Sequence, residues 1–428
     1  MPLLDFDTTK PPPGPFREDF WRSPLRGPWL TAVLGLVLLI GLPIVIVTGL
    51  LSNDAYQPGL GTNAFGRNTH GPLDLYLFGW PTHPAWLYAF TQGVHVSVGL
   101  ALTPVLLAKL WSVIPRLFEW PTLRTPAHAL ERLSLALLVG GALFEFATGI
   151  INIQYWYAFR FFFINAHYYG AWVFTGAFLA HVSLKFGTMR TSLKTRADVL
   201  QAATGAAESS EPRVGMRSLA ATSPRQATMS RRALLGTVGA GSLLLLLQGA
   251  GQSVGGPFRA LAFLLPRGHV RAGPLGFPVN KTAAAAGISA SSVGSRWRLE
   301  LVGARPMTLS RAQLLALPQH TYDLPIACVE GWSTTQRWSG VRLRHLASLC
   351  GVPGPATVTT SSLDHGTFGH ATLGHEQVGD GRSLLALRVN GLDLPLDHGY
   401  PARVIAPAVP GDHCTKWVSK MTFQPVAA

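Results

Sequence analysis

Histidines inside long apolar stretches are the first residues here whose type and spacing suggest chemistry. His95 stands in the run Gly93-Val94-His95-Val96-Ser97-Val98-Gly99, and His167 and His181 share a second stretch. Ionisable residues in such surroundings are rare and usually functional. His167 and His181 are 14 residues apart, close to four helical turns, so a helix would hold them on one face about 21 Å apart. Neutral imidazoles so placed can give axial ligands to two b-type haems stacked across a bilayer, with partners on neighbouring helices. His95 and His167 fall at similar depths, about nine and six residues into their stretches, and are the expected pair for one haem. His128 is the sequence partner for His181 at a second. The same histidines could instead hydrogen-bond between helices without iron. Glu145 lies in a third apolar stretch, where a lone carboxylate must be paired or protonated. It suits proton transfer at a quinone site, or partnership with a histidine or tyrosine on the next helix.

The stretches that position these groups run roughly Trp29–Leu51, Trp86–Leu110, Ala129–Ile153, Phe161–Phe186 and Ala233–Ala250. Each approaches the ~20 residues that span a bilayer. The chain is 48% hydrophobic and 13% charged, about half the usual charged share of a soluble protein. That predicts a membrane protein carrying a soluble domain. Basic residues then set the orientation. Lys10, Arg17, Arg22 and Arg26 precede the first stretch, and Arg67 alone follows it. Lys109, Arg116, Arg124 and Arg132 surround the second connection, and Arg160 alone occupies the third. Arg190, Lys194, Arg196, Arg213, Arg217, Arg225, Arg231 and Arg232 crowd the fourth. Five crossings place the N-terminus in the cytoplasm and the C-terminal domain in the periplasm or outside the cell, in a multi-pass inner-membrane protein. The net charge of +14 is thus a topological signal, with membrane lipid as its partner and nucleic acid excluded. Ser230-Arg231-Arg232-Ala233-Leu234-Leu235 resembles a twin-arginine export signal; an ordinary positive-inside pair is the other reading.

Beyond residue 265 the pattern changes. Trp297–Val302, Leu384–Val389 and Arg403–Ala406 read as strands between Gly and Pro turns. Ser310–Leu317 and Leu343–Leu349 read as short helices, which gives an α+β class. All three cysteines, Cys328, Cys350 and Cys414, lie here, too few for a disulfide scaffold. A Cys350–Cys414 bond remains an option in an exported domain.

Cys328-Val329-Glu330-Gly331-Trp332-Ser333, the turn Trp338–Val341, His398-Gly399-Tyr400-Pro401-Ala402-Arg403 and Lys416-Trp417 form an ordered set. It resembles the molybdopterin domain of the sulfite oxidase family, especially its bacterial periplasmic branch. The resemblance implies that Cys328 is the thiolate ligand of molybdenum, a soft donor added to the pterin dithiolene. It implies that His398, Arg403 and Lys416 hold the pterin phosphate, with Asn280 and Lys281 in Phe277–Thr282 as further contacts. Residues 28–190 resemble di-haem cytochrome b families that serve as quinone-linked subunits, which implies haem b and the quinone pool as partner.

The departures bear on substrate. Sulfite-oxidising relatives carry an arginine and a histidine where this chain has Val279-Asn280-Lys281, and arginines just after the cysteine where it has Glu330-Gly331-Trp332-Ser333. Arg337 is the nearby substitute, assigned a catalytic role beside Cys328. Asp364, His365, His370 and His375 are candidates for the substrate mouth.

The expected organisation is an all-α transmembrane bundle of four helices plus one anchor helix, followed by an α+β, mainly β, molybdopterin domain. The segments are 1–27 cytoplasmic, 28–190 cytochrome b-like, 191–229 flexible basic linker, 230–252 signal or anchor helix, and 253–428 extracytoplasmic oxidoreductase. The expected activity is oxo transfer at Cys-ligated molybdenum, with electrons exchanged with quinone through haem, reducing a sulfoxide or N-oxide carried by a small molecule or an oxidised protein. Oxidation of a small substrate with electrons delivered to quinone, or a cofactor-free binding or electron-transfer protein, are the alternatives.

Overall fold

Five helices carry the apolar stretches: α1 (Pro28–Tyr56), α2 (Leu87–Leu117), α3 (Pro126–Ile153), α4 (Phe163–Ala202) and α5 (Arg231–Val254). The computed structural model describes residues 11–56, 77–120, 125–156, 158–161, 163–202, 221, 224–267, 275–366 and 368–426. Among these, α1, α2, Ala129–Ile153 of α3, and α5 are long and apolar enough to cross a membrane. The helix α4 is absent from that set, although it was expected as a span. Asn165, His167, Tyr168 and Tyr169 near its start and Lys185, Arg190 and Lys194 further along dilute its apolar character. It also runs on to Ala202, so the expected linker begins as helix; residues 203–220 lie outside the described set.

The chain divides into two compact units, which do not follow the expected boundary at residue 252. One comprises Met1–Ile46, Val98–Ile151 and Phe159–Leu246; the other comprises Val47–Ser97, Asn152–Ala158 and Leu247–Ala428. In the first, Leu30, Leu34, Leu38 and Leu42 recur at i, i+4 spacing on α1. They pack in one cluster with Leu102, Val105 and Leu106 of α2, Ala142 of α3, and Phe174 and Phe178 of α4. Small residues permit the close approach: a Cβ on Gly41 would fall 2.6 Å from Leu102, and one on Gly141 3.2 Å from Phe174. Arg231 donates to the carbonyls of Pro24 and Leu25, each at 3.1 Å.

The second unit holds two five-stranded sheets. Its strands are β1 (Arg298–Val302), β2 (Met307–Ser310), β3 (His320–Ala327), β4 (Ser333–Arg342), β5 (Ala356–Ser362), β6 (His370–Leu373), β7 (Leu384–Val389), β8 (Leu392–Asp393), β9 (Arg403–Ile405) and β10 (Val418–Pro425). One sheet has the order β2-β1-β10-β5-β6; the other is β3-β4-β7-β8, with β9 also paired to β7. The β1–β10 pair is parallel and its neighbours are antiparallel. Short helices α6 (Arg311–Ala316), α7 (Leu343–Leu349) and α8 (His375–Gly379) link strands. The α6 start is fixed by a capping box, in which Ser310 Oγ accepts from Gln313 N and Gln313 Oε1 accepts from Ser310 N. Alternation buries Leu299 and Leu301 of β1 and Val358 and Thr360 of β5. With Trp338, Val341, Leu385 and Met421 they line one continuous core, apart from Thr360. Cys350 is buried in that core, its thiol donating to Ala347 O at 3.3 Å. All three cysteines are free thiols, so the Cys350–Cys414 disulfide does not form.

Candidate functional site

Cys328 follows β3 and begins a tight turn into β4. Its N–H donates to Trp332 O at 2.9 Å, and Gly331 N–H donates back to Cys328 O at 2.9 Å. Gly331 makes the turn possible with φ +89°, a region that side chains adopt only at a cost. The loop is also held from outside the sheet. Gln92 of α2 donates to Val329 O at 2.6 Å, and Gln252 of α5 donates to Glu330 O at 2.7 Å. Ser52 in turn fixes Gln92, donating to its Oε1 at 2.7 Å. The result is a rigid perch for one thiol. Burial pushes that thiol well above its ordinary range, and the carboxylates of Glu330 and Asp412 push further in the same direction. A metal binding there would have to displace the proton.

Glu330 turns its carboxylate toward two donors and a cation. Trp332 Nε1 donates to Oε2 at 2.7 Å, and Tyr155 O–H donates to the same oxygen. Arg267 donates through Nε to Tyr155 and through Nη2 to Asn280 O at 2.9 Å. Its guanidinium lies 4.2 Å from the Tyr155 ring centroid and 3.7 Å from Glu330 Oε2. Burial raises the Glu330 pKa, and these partners hold it back.

A second cluster brings together the basic residues read from the sequence. Arg403 and Lys416 are both buried. Arg403 donates to Cys414 O at 3.2 Å and to His398 O at 3.3 Å. Lys416 donates to Lys281 O and, at 3.1 Å, to Asp397 O. Among the described residues no carboxylate lies within ion-pair distance of either cation. Burial lowers the Arg403 pKa to about 10; for Lys416 burial acts first and the charge of Arg403 adds to it. Gly399, at φ +110°, separates them: a Cβ there would come within 3.1 Å of Lys416 and 3.2 Å of Arg403. His398 stacks on Phe277, with ring centroids 3.8 Å apart. Arg403 lies over the Trp338 ring and Lys416 over that of Trp417, and Asp397 and Asp364 offset part of the Lys416 charge from a distance. Two buried, mutually repelling cations without an ion pair still leave positive charge that an anion would balance. Arg403 also lies near enough to Cys328 to act on it electrostatically.

Not every expected residue joins. The Lys281 ammonium is engaged by Asp364 at 2.7 Å, so this residue meets Lys416 through its carbonyl alone. Asn280 is exposed and likewise offers its carbonyl, to Arg267. Arg337 is not beside Cys328. It lies four register positions along β4 from the turn and pairs with Asp323 at 3.1 Å on the exposed face, roughly 13 Å away at the strand rise. His365, His370 and His375 are exposed. Arg267 and Tyr155 were missed, because contacts across 112 and 175 residues leave no periodic trace.

The helical histidines are placed separately. His95 on α2 faces Gly49 of α1, where a Cβ would meet its ring at 3.0 Å. His167 and His181 share the single helix α4. His167 Nδ1 lies 3.1 Å from Glu145 Oε2 and 2.9 Å from Thr148 Oγ1, so the carboxylate is a histidine partner. His128 stands in the first turn of α3, its side chain outside the described set.

Residues 286–427 match the family model described as Oxidoreductase molybdopterin binding domain. The chain is 30% identical over 159 residues to human mitochondrial sulfite oxidase, covering 30% of this chain and 29% of that one. It is 30% identical over 132 residues to the uncharacterized oxidoreductase YuiH of Bacillus subtilis, covering 30% of this chain and 66% of that one. Over residues 286–427 the chain is thus similar to molybdopterin-binding oxidoreductase domains. The two buried cations and the perched thiol within that stretch fit an anionic, metal-bearing cofactor on their own geometry. The chain spans under a third of the length of the human sulfite oxidase it matches. A solved structure, the sulfane dehydrogenase SoxCD from Paracoccus pantotrophus, aligns with 31% of this chain and 39% of its own at 24% identity and a TM-score of 0.29.

Proposed function

We propose that the chain is a membrane-bound oxidoreductase that binds molybdopterin through Cys328, Arg403 and Lys416. We further propose that it reduces a sulfoxide or N-oxide with electrons from the quinone pool, delivered through b-type haem. The observation that carries the reading is the pair of buried cations with no carboxylate partner among the described residues, next to a buried thiol. Bound molybdenum supplies two-electron oxygen-atom chemistry coupled to one-electron steps. The chain's own residues do the rest. Arg403 and Lys416 hold the pterin phosphate, a guanidinium fork and a point charge respectively; His398 stacked on Phe277 closes the wall beside them. Gln92 and Gln252 fix the loop that orients the Cys328 sulfur. Reduction of a sulfoxide consumes two electrons and two protons and releases water, so a quinol is a sufficient donor.

Membrane residence is supported by exposed apolar residues at helical spacing on α1, Val37, Ile40, Ile44 and Val47, and by the alternation of basic connections. With α4 counted as a fifth crossing beside α1, α2, α3 and α5, the basic connections would place residues 253–428 in the periplasm or outside the cell; four crossings alone would leave them on the side of the N-terminus. Haem ligation by His167 is supported by its Nδ1 contacts, since a metal-bound imidazole usually gives its other nitrogen to a carboxylate or hydroxyl. His95, His181 and His128 complete the proposed ligands. The test is purification from membranes with molybdenum and haem quantified together. The reading requires about one molybdenum per chain, lost in Cys328→Ser, and a reduced b-type absorption lost in His167→Ala. Full molybdenum content in Cys328→Ser would sink it.

A further inference from the structure

Two of the groups gathered at Glu330 come from outside residues 286–427. Tyr155 follows α3 directly, with φ +56°, and Arg267 lies in the segment after α5. We propose that Tyr155 and Arg267 form, with Glu330, the substrate-recognising lip of the site, and that this lip selects a neutral oxygen-bearing substrate over a sulfur oxyanion. The inference rests on the reading of Cys328 as the molybdenum ligand and names the substrate class for that same centre.

Position comes first. Tyr155, Arg267 and Glu330 all lie close enough to Cys328 to act on it electrostatically. Yet the Arg267 side chain keeps 18% exposure, whereas that of Glu330 keeps 9%, and Tyr155 is half-buried. The donors therefore have a water-facing edge while the carboxylate sits behind them. An arriving oxygen meets the Arg267 N–H groups not already given to Tyr155 and Asn280, while Tyr155, its own O–H spent on Glu330, accepts from the guanidinium and aims it.

Charge decides the class. Arg267 is already balanced by Glu330, so the lip offers donors without net positive charge. A sulfoxide or N-oxide oxygen accepts hydrogen bonds and needs no counter-charge. A sulfite or sulfate dianion would have to share the guanidinium with a carboxylate two residues from the cysteine, and Asp412 adds a further acidic group nearby. Among the described residues Arg337, the other basic residue close in sequence, is turned to Asp323 and cannot compensate.

The experiment uses the full chain purified from membranes, with molybdenum content measured for each variant. Dimethyl sulfoxide and sulfate are the probes. Arg267→Gln should raise the KM for dimethyl sulfoxide roughly tenfold, the loss of one hydrogen bond, and Tyr155→Phe, which removes the acceptor that aims the guanidinium, should raise it by less, with kcat changed less than KM in both. Arg267→Lys should recover part of the loss, since it keeps charge without the fork. Radiolabelled sulfate, followed by equilibrium dialysis, needs no turnover. Glu330→Gln should bind it at least tenfold more tightly than wild type, because the guanidinium is released. Unchanged KM in Arg267→Gln at full molybdenum content, or unchanged sulfate affinity in Glu330→Gln, overturns the proposal. A wild-type chain devoid of molybdenum would instead overturn the functional reading, while the dialysis still decides the lip.

Discussion

Replacing Gly331 by alanine tests whether the cysteine loop is as tightly specified as its contacts indicate. The residue sits at φ +89°, and an added Cβ would fall 2.8 Å from Val96 Cβ, with Cγ1 and Cγ2 of the same side chain at 2.8 and 2.9 Å. The left-handed backbone costs a non-glycine residue about 1–2 kcal/mol. Forcing a methyl into a filled contact adds about 1–3 kcal/mol. Together these give about 2–5 kcal/mol, which lowers the Tm of a domain of this size by roughly 4–20 °C. Differential scanning calorimetry of the purified chain reads the shift, with molybdenum content measured alongside. Val96→Ala in the same chain should recover the steric part and leave the backbone part, a coupling that a double-mutant cycle isolates. Gly354, with negative φ and no heavy atom within 4 Å of an added Cβ, serves as control; its alanine variant should stay within about 0.5 kcal/mol of wild type. If Gly331→Ala melts like Gly354→Ala, the account of the loop is wrong.

Three further outcomes are expected. Lys416→Met should leave cofactor-free protein no less stable than wild type, or more so, because a buried ammonium is removed, yet lower pterin retention at least tenfold; thermal melts and cofactor assay check the two halves separately. The neighbouring Asp412 and His413 should oppose each other with pH. Burial raises Asp412 to about 6, above its unfolded value of about 3.9, so its contribution is present at low pH and lost as pH rises toward 6. Burial lowers His413 to about 3, below its unfolded value of about 6.5, so its contribution is present at high pH and lost as pH falls. Between about pH 4 and 6 the slopes cancel; Asp412→Asn should then give stability rising with pH by up to about 1.4 kcal/mol per unit, and His413→Gln the reverse, in denaturant titrations. Ser310→Ala removes the α6 cap and should cost about 1 kcal/mol, read as a small fall in Tm.

Elements with strong local patterns were legible in the sequence. Leu343–Leu349 and Leu384–Val389 take the expected helix and strand limits, because each carries its period in a few residues. The cation pair was legible through motif spacing, and the structure brings Arg403 and Lys416 together across a single glycine. Proximity along the chain misled at Arg337: nine residues after the cysteine, it is carried away by an antiparallel strand whose other face is core. The lip residues were invisible for the converse reason, since Tyr155 and Arg267 reach Glu330 only through tertiary contact. The extent of α4 was misjudged because the amino acids between 191 and 202 are polar without breaking a helix.

The placement of β10 constrains when the domain can be completed. That strand lies between β1 and β5 in its sheet, and Lys416 and Trp417 immediately precede it. Roughly 90 residues separate Cys328 from Lys416, about 4–18 s of ribosomal elongation. Until β10 is made, β1 and β5 present open edges able to recruit other chains, and the Cys328 thiol exists before the Lys416 ammonium. A site that needs both groups must therefore wait until synthesis has passed β10, and loss of that strand would leave an aggregation-prone sheet rather than a weaker enzyme.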